Sequence, residues 1–168
     1  LGERVMHGEL EQADSIKFAD SLKFTTPKGR TVYGGGGIMP DIFIPLDTAG
    51  YTPYLRAVIN KGLVYKFAFQ YVDINRKKLT SFQSPEILDQ YLNGQNITAE
   101  FSRFAASQGL KLNPDYKDNQ KSTLLLKTQL NAYIARNILD DKGFYPIWHK
   151  VDVAVLKAVE TLEKGNLL

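Results

Sequence analysis

The sequence predicts an α+β protein, mainly α, in which short N-terminal β segments forming a ribbon precede a C-terminal helical bundle. Three observations carry this. From Tyr51 onward, apolar residues recur at i, i+3 and i+4, the spacing of one helix face. Thr52-Pro53 and Ser84-Pro85 each place a capping side chain before a proline at the first helical position. Before Pro45, β-branched and aromatic residues come in short runs punctuated by Pro and Gly, which is strand and turn chemistry. Two regions follow, 1–50 and 51–168, with the boundary between Pro45 and Gly50.

In chain order, Leu1 to Asp14 mixes charges with few apolar residues and reads as loop. Ile16, Phe18, Leu22 and Phe24 suggest two short extended pieces, and Thr25-Thr26-Pro27-Lys28-Gly29 is a turn. Thr52 caps a first helix carrying Leu55, Val58 and Ile59, which Asn60-Lys61-Gly62 ends. A second runs from about Leu63 to Leu79 with Val64, Phe67, Ala68, Tyr71 and Val72 on one face, a core stripe rather than a cofactor pocket. Ser84-Pro85 opens a short helix through Leu92, closed by Asn93-Gly94. Thr98 is expected to cap the next, with Phe101, Phe104 and Ala105 continuing one face to Gly109. Asn113-Pro114 starts a further segment, and a long helix spans about Asn119 to Leu139 with Leu126, Leu130, Tyr133, Ile134 and Ile138. Asp140-Asp141-Lys142-Gly143 ends it, and a last helix is expected from about Trp148 to Leu162, presenting Val151, Val155, Leu156, Val159 and Leu162 and stopping near Gly165.

Composition narrows the function classes. The 168 residues are 43% hydrophobic, enough for a core, and contain no cysteine, which excludes disulfides and thiolate metal sites. No run approaches the roughly 18 apolar residues that a membrane helix needs. The net charge is +3, and the densest basic cluster, Arg76-Lys77-Lys78, falls near a helix end, where cations complement the dipole. No basic stripe with interleaved aromatics extends from it, so nucleic acid is not an expected partner.

The least generic stretch is Thr31-Val32-Tyr33-Gly34-Gly35-Gly36-Gly37-Ile38-Met39-Pro40-Asp41. A phosphate-cradling loop would need Lys-Ser/Thr after the glycines or a Gly-x-Gly-x-x-Gly opening a helix, and neither occurs. The reading that fits the residues is a glycine turn or bulge joining a strand at Val32-Tyr33 to one at Ile42-Phe43-Ile44.

These residues also resemble a known family. Thr26-Pro27-Lys28-Gly29-Arg30-Thr31-Val32-Tyr33, then the glycines and Gly37-Ile38-Met39-Pro40-Asp41-Ile42-Phe43-Ile44, are similar to the late-core signature of carboxyl-terminal processing peptidases, the tail-specific serine proteases. In that family Tyr-Thr-Pro-x-Gly-Arg leads to Gly-Ile-x-Pro-Asp and a hydrophobic strand. His7-Gly8-Glu9-Leu10, Ala13-Asp14-Ser15-Ile16-Lys17-Phe18 and Asp20-Ser21-Leu22 are similar to an insertion in one bacterial branch. The resemblance covers about the first third of the chain. Its structural motif here is Pro27, Gly29, Arg30, Tyr33, Gly34, Gly35, Gly36, Gly37, Ile38, Pro40 and Asp41.

The resemblance implies a peptidase with a nucleophilic Ser, a Lys general base and a Gln, all preceding this motif and so expected upstream of Leu1, together with a peptide-binding PDZ domain. This chain is then a C-terminal part with no catalytic residue of its own. It implies a periplasmic or cell-envelope location, the upstream peptidase core of the same polypeptide as a partner, and protein or peptide substrates. Strands left without neighbours would invite homodimer formation.

Other chemistries find little footing. His7 and His149 are the only histidines, and each reads as an ordinary polar residue rather than a triad member. No Ser-x-x-Lys occurs, and Lys121-Ser122 places its side chains on diverging helix positions. Asp115, Asp118 and Asn119 lack the central glycine and terminal Glu of a calcium loop, so no metal or cofactor is expected. Asn96-Ile97-Thr98 fits a glycosylation acceptor, with helix capping by Thr98 the more economical account. The rival reading is a stand-alone, non-catalytic helical protein-interaction module. A third, a small-molecule-binding helical domain, would need an apolar pocket with converging polar groups.

Overall fold

The computed structural model describes residues 20–29, 31–34, 42–111 and 119–165. The fold is α+β, mainly α: the described residues hold seven α-helices and one two-stranded antiparallel sheet. The chain divides into two compact units, Leu1–Asp47 and Thr48–Leu168.

In the first unit a 3₁₀ turn, Asp20–Leu22, leads into β1 (Lys23–Thr25), which pairs antiparallel with β2 (Thr31–Tyr33) in the register Lys23 to Tyr33, Phe24 to Val32 and Thr25 to Thr31. The turn between them is the one expected at Pro27 to Gly29: the Gly29 amide donates to the Thr26 carbonyl at 2.8 Å, and Gly29 sits at φ +81°, where a Cβ is disfavoured. Ile16 and Phe18 lie outside the described residues. Ile42, Phe43 and Ile44, expected as a strand, adopt none. A strand needs a partner ladder, and among the described residues β2 pairs with β1 instead.

The second unit is built from α1 (Pro53–Asn60), α2 (Leu63–Leu79), α3 (Pro85–Asn93), α4 (Ile97–Ser107), α5 (Gln120–Leu139), α6 (Asp141–Trp148) and α7 (Val153–Glu163). The starts follow from the caps. Thr52 Oγ1 accepts from the Leu55 amide at 3.3 Å, Ser84 Oγ from Ile87 at 3.4 Å, and Asn119 Oδ1 from Ser122 at 2.8 Å. α4 departs from the expectation, because Asn96 rather than Thr98 is its N-cap residue and makes no side-chain capping bond. Ile97, 2% exposed, is drawn into the core at the first helical position, so the helix begins before Thr98.

α5 is the central helix and packs against α2, α3, α4 and α6, while α1 packs on α2. The predicted stripes meet here: Phe67, Val72, Phe101, Leu126, Leu130 and Ile134 are buried in one cluster. Phe67 holds Phe101 edge to face at 5.5 Å, a favoured quadrupolar arrangement.

The end of the chain differs most from expectation. Asp140 to Gly143 does not simply end α5; Asp141 opens a separate helix, α6, with Pro146 inside it and His149 at its C-cap. Pro146 forgoes one helical hydrogen bond. Burial of Ile147 and packing of Phe144 and Trp148 against the core offset that loss. The last helix starts at Val153, capped by Asp152, whose Oδ1 accepts from Ala154 at 3.0 Å and Val155 at 3.2 Å. The apolar residues it presents stay outside the core: none of α7 is fully buried, and Leu156 is 49% and Leu162 60% exposed.

Candidate functional site

Of the motif residues singled out by sequence, Pro27, Gly29, Tyr33 and Gly34 come together in the β1–β2 hairpin, where the Gly34 amide donates to the Leu22 carbonyl at 2.8 Å. Arg30, Gly35, Gly36, Gly37, Ile38, Pro40 and Asp41 lie outside the described residues, as does His7. The hairpin exposes apolar surface on both strands, with Phe24 56%, Val32 40% and Tyr33 36% exposed. A two-stranded hairpin is marginally stable at best by itself, and further strands or a covering layer normally stabilise such a surface.

In the helical unit a run of aromatic side chains reaches the surface across three helices. Tyr65 on α2 meets Tyr133 on α5 edge to face at 5.8 Å, and Tyr133 meets Phe144 on α6 at 5.2 Å. Phe144 continues to Tyr145 at 5.3 Å and to Trp148 at 6.3 Å, and Tyr145 to the His149 ring at 5.4 Å. Tyr65 and Tyr145, towards the two ends of this strip, are about half exposed, and the rings between them are half-buried. Such rings present large, rigid area with a polar tip, the composition of interface hot spots.

The strip is held by the corner between α5 and α6. Gly143 approaches α5 so closely that a Cβ there would lie 2.5 Å from the Ala135 carbonyl oxygen. Asp140 turns the chain at φ 55°, ψ −147°, a region that L residues rarely enter. Arg136 clamps the corner by pairing with Asp141 at 3.0 Å while its guanidinium lies 5.5 Å from the Phe144 ring centroid.

A second cluster is polar and buried. Asp89 on α3 accepts from Asn131 Nδ2 of α5 at 2.9 Å and from Lys150 Nζ, in the α6–α7 turn, at 2.6 Å. Asn131 Nδ2 also reaches Asn93 Oδ1 at 3.2 Å, and Asn131 Oδ1 is buried without a hydrogen-bond partner among the described residues. Elsewhere Ser122 is buried and shares a 2.9 Å hydrogen bond with Thr52, an α1–α5 tie rather than a nucleophile beside a base. Arg76 pairs with Asp73 at 2.6 Å, and Lys78 lies over the rings of Phe82 and Tyr91 at 5.7 and 5.6 Å, so these two members of the basic cluster are engaged by their own chain. Among the described residues no group of three or more His, Cys, Asp or Glu could hold a metal ion.

Sequence reasoning missed both clusters. The rings of α6 carried a signal, since Phe144, Tyr145 and Trp148 stand at i, i+1 and i+4, but Pro146 argued against a helix there. Asp89 sits between Leu88 and Leu92 on the apolar face of α3, and a carboxylate in a buried stripe marks a buried partner.

Fold and surfaces together define a helical-bundle unit whose conspicuous features are a partly exposed aromatic strip and an ion pair with a buried carboxylate. The chain belongs to DUF8443, a family of unknown function, whose profile matches residues 54–140. The matched span runs from the start of α1 through the end of α5 to Asp140, and leaves the hairpin, α6 and α7 outside it. No curated protein and no solved structure matches the chain.

Proposed function

We propose that this chain is the C-terminal region of a serine peptidase of the carboxyl-terminal processing type, in which residues 1–50 complete the sheet of the peptidase core and the helical unit is a non-catalytic lobe that positions protein substrates or partners. The observation that carries the reading is the hairpin. It places the turn of the Pro27-x-Gly29 motif between strands whose apolar residues Phe24, Val32 and Tyr33 are exposed, as the free end of a larger sheet would be. The chemistry then belongs to upstream residues of the polypeptide: a Ser attacks the peptide carbonyl, a Lys takes its proton, and an acyl-enzyme forms and is hydrolysed. A periplasmic or envelope location goes with this reading, and association of two copies through the hairpin is its expected failure mode when the core is absent.

The test is the coding sequence before Leu1 together with the intact mass of the native protein. The peptidase reading expects several hundred further residues with a Ser and a Lys in family-like surroundings. A native start near Leu1 would overturn it. The aromatic strip favours a second reading that needs no peptidase: a stand-alone interaction module that binds protein partners through Tyr65, Tyr133 and Tyr145. That reading expects the isolated chain to be a monomer that binds partners through the strip without any upstream domain.

A further inference from the structure

The half-buried Lys150–Asp89 ion pair and the loosely packed last helix meet at one point, the turn between α6 and α7. Lys150 lies in that turn with its side chain 53% exposed, yet its ammonium is bonded to Asp89, whose side chain is 8% exposed. Beyond Lys150 the chain is held more loosely: none of the α7 residues is fully buried, and among the described residues no other helix packs extensively on it. The polar side of α7 is satisfied within the helix, where Glu160 pairs with Lys157 at 2.9 Å and with Lys164. Its apolar side is only partly covered: Val153, Leu156 and Val159 are 44%, 49% and 46% exposed, and Val155 is half-buried.

We propose that the Lys150–Asp89 pair is a clasp that sets the direction in which α7 leaves the bundle, and that its release lets α7 swing about residues 149–152 while α1 to α6 stay folded. Three features of the pair fit a clasp better than a structural tie. A buried ion pair adds little net stability compared with apolar packing, and its best-attested use is to select one arrangement over another. Asp89 does not depend on Lys150 alone, since Asn131 Nδ2 holds its other oxygen at 2.9 Å when the lysine leaves. Glu86, one turn earlier on α3, offers the departing ammonium a second, fully exposed carboxylate; the Ser84 hydroxyl first, then its own backbone amide and the Lys150 charge hold Glu86 below the usual carboxyl range. Lys150 thus has a buried and a solvated acceptor on the same helix, and moving between them costs less than leaving an ion pair for bulk water. Neutralising the lysine removes both.

The chain has no cysteine, so a pair of introduced labels reports this motion without background. Spin labels at Gln90→Cys on α3 and Ala158→Cys on α7, both exposed positions, give the distance distribution between the two helices in the full chain. The clasp predicts one narrow distribution with Lys150 and with Lys150→Arg, and a distribution at least about twice as broad in Lys150→Met, because a local element freed of its one anchor samples many positions. Lys150→Met strands a buried carboxylate and can lower overall stability, so the double variant Lys150→Met/Asp89→Asn is measured beside it. It removes the stranded charge and is expected to keep the broad distribution. A narrow distribution in the double variant, or a broad one already present with Lys150 in place, overturns the proposal.

Discussion

Asp140 shows how a single residue places a surface. Held at φ 55°, ψ −147°, it reverses the chain so that α6 returns along α5, and Gly143 lets the two backbones touch at Ala135. Strain of this kind costs on the order of 1–3 kcal/mol. Asp140→Gly is therefore expected to raise stability by roughly 1 kcal/mol after the entropy that glycine adds to the unfolded chain. Gly143→Ala is expected to lower it by roughly 2 kcal/mol or more, since its Cβ meets backbone rather than a movable side chain. Urea unfolding midpoints of the two variants check both, and shifts of the same sign would contradict this account of the corner. Tyr71 makes a separate prediction. Burial first, then the charges of Glu100 and Tyr91, push its phenol up to about 12 from 10.0. The folded state keeps that proton where the unfolded state has lost it, so the contribution is fully present below pH 10 and is lost as pH rises from 10 to 12, roughly 3 kcal/mol in all. Stability measured across that window should fall in the parent and stay flatter in Tyr71→Phe. The burial of Tyr71 and the end of α5 at Leu139 were legible in the sequence, but the corner was not, because Asp140-Asp141-Lys142-Gly143 spells a helix stop and the backbone angle that turns a stop into a corner has no letter of its own.

At the scale of elements, the helices whose caps and stripes agree were readable, and those decided by tertiary contact were not. α2 was expected at Leu63 to Leu79 and lies there, because Gly62 breaks the chain and the apolar stripe runs the full length. α1 and α3 begin at the expected Thr52 and Ser84 caps, and α5 begins where expected, with Asn119 as its cap. Thr52 carries a double role, capping α1 and bonding the buried Ser122 of α5, so Thr52→Ala is expected to cost about 2 kcal/mol, more than a solvent-exposed cap. Ser84→Ala, at an exposed cap, is expected to cost about 1 kcal/mol by the same denaturation assay, and the reverse order would argue against the Thr52–Ser122 bond. α6 escaped prediction because Pro146 outweighed three aromatic residues locally, whereas in the fold their burial against α5 wins. α7 was readable as a helix but not as an uncovered one, since amphipathic spacing states which side is apolar and not what covers it.

At the scale of the whole molecule, the sequence separated a β-rich start from a helical remainder, while the candidate surfaces emerged only in three dimensions. Tyr65 and Tyr133 are far apart in sequence and meet because α2 packs on α5, and Phe144 of α6 links Tyr133 to Tyr145. If the helical unit positions protein substrates for an upstream peptidase, Tyr65→Ala/Tyr145→Ala in the complete polypeptide should slow cleavage of protein substrates by about 30-fold or more, the loss of at least one hot-spot contact of about 2 kcal/mol, and leave short peptides unaffected. The central claim, that this chain completes and serves a peptidase, is tested most directly by assaying the native full-length polypeptide on a protein substrate with and without residues 51–168. The account predicts serine-type cleavage by the intact protein and a marked loss for protein substrates on removal of the helical unit. Absence of peptidase activity in the intact protein, or cleavage of protein substrates unchanged by the deletion, would contradict it.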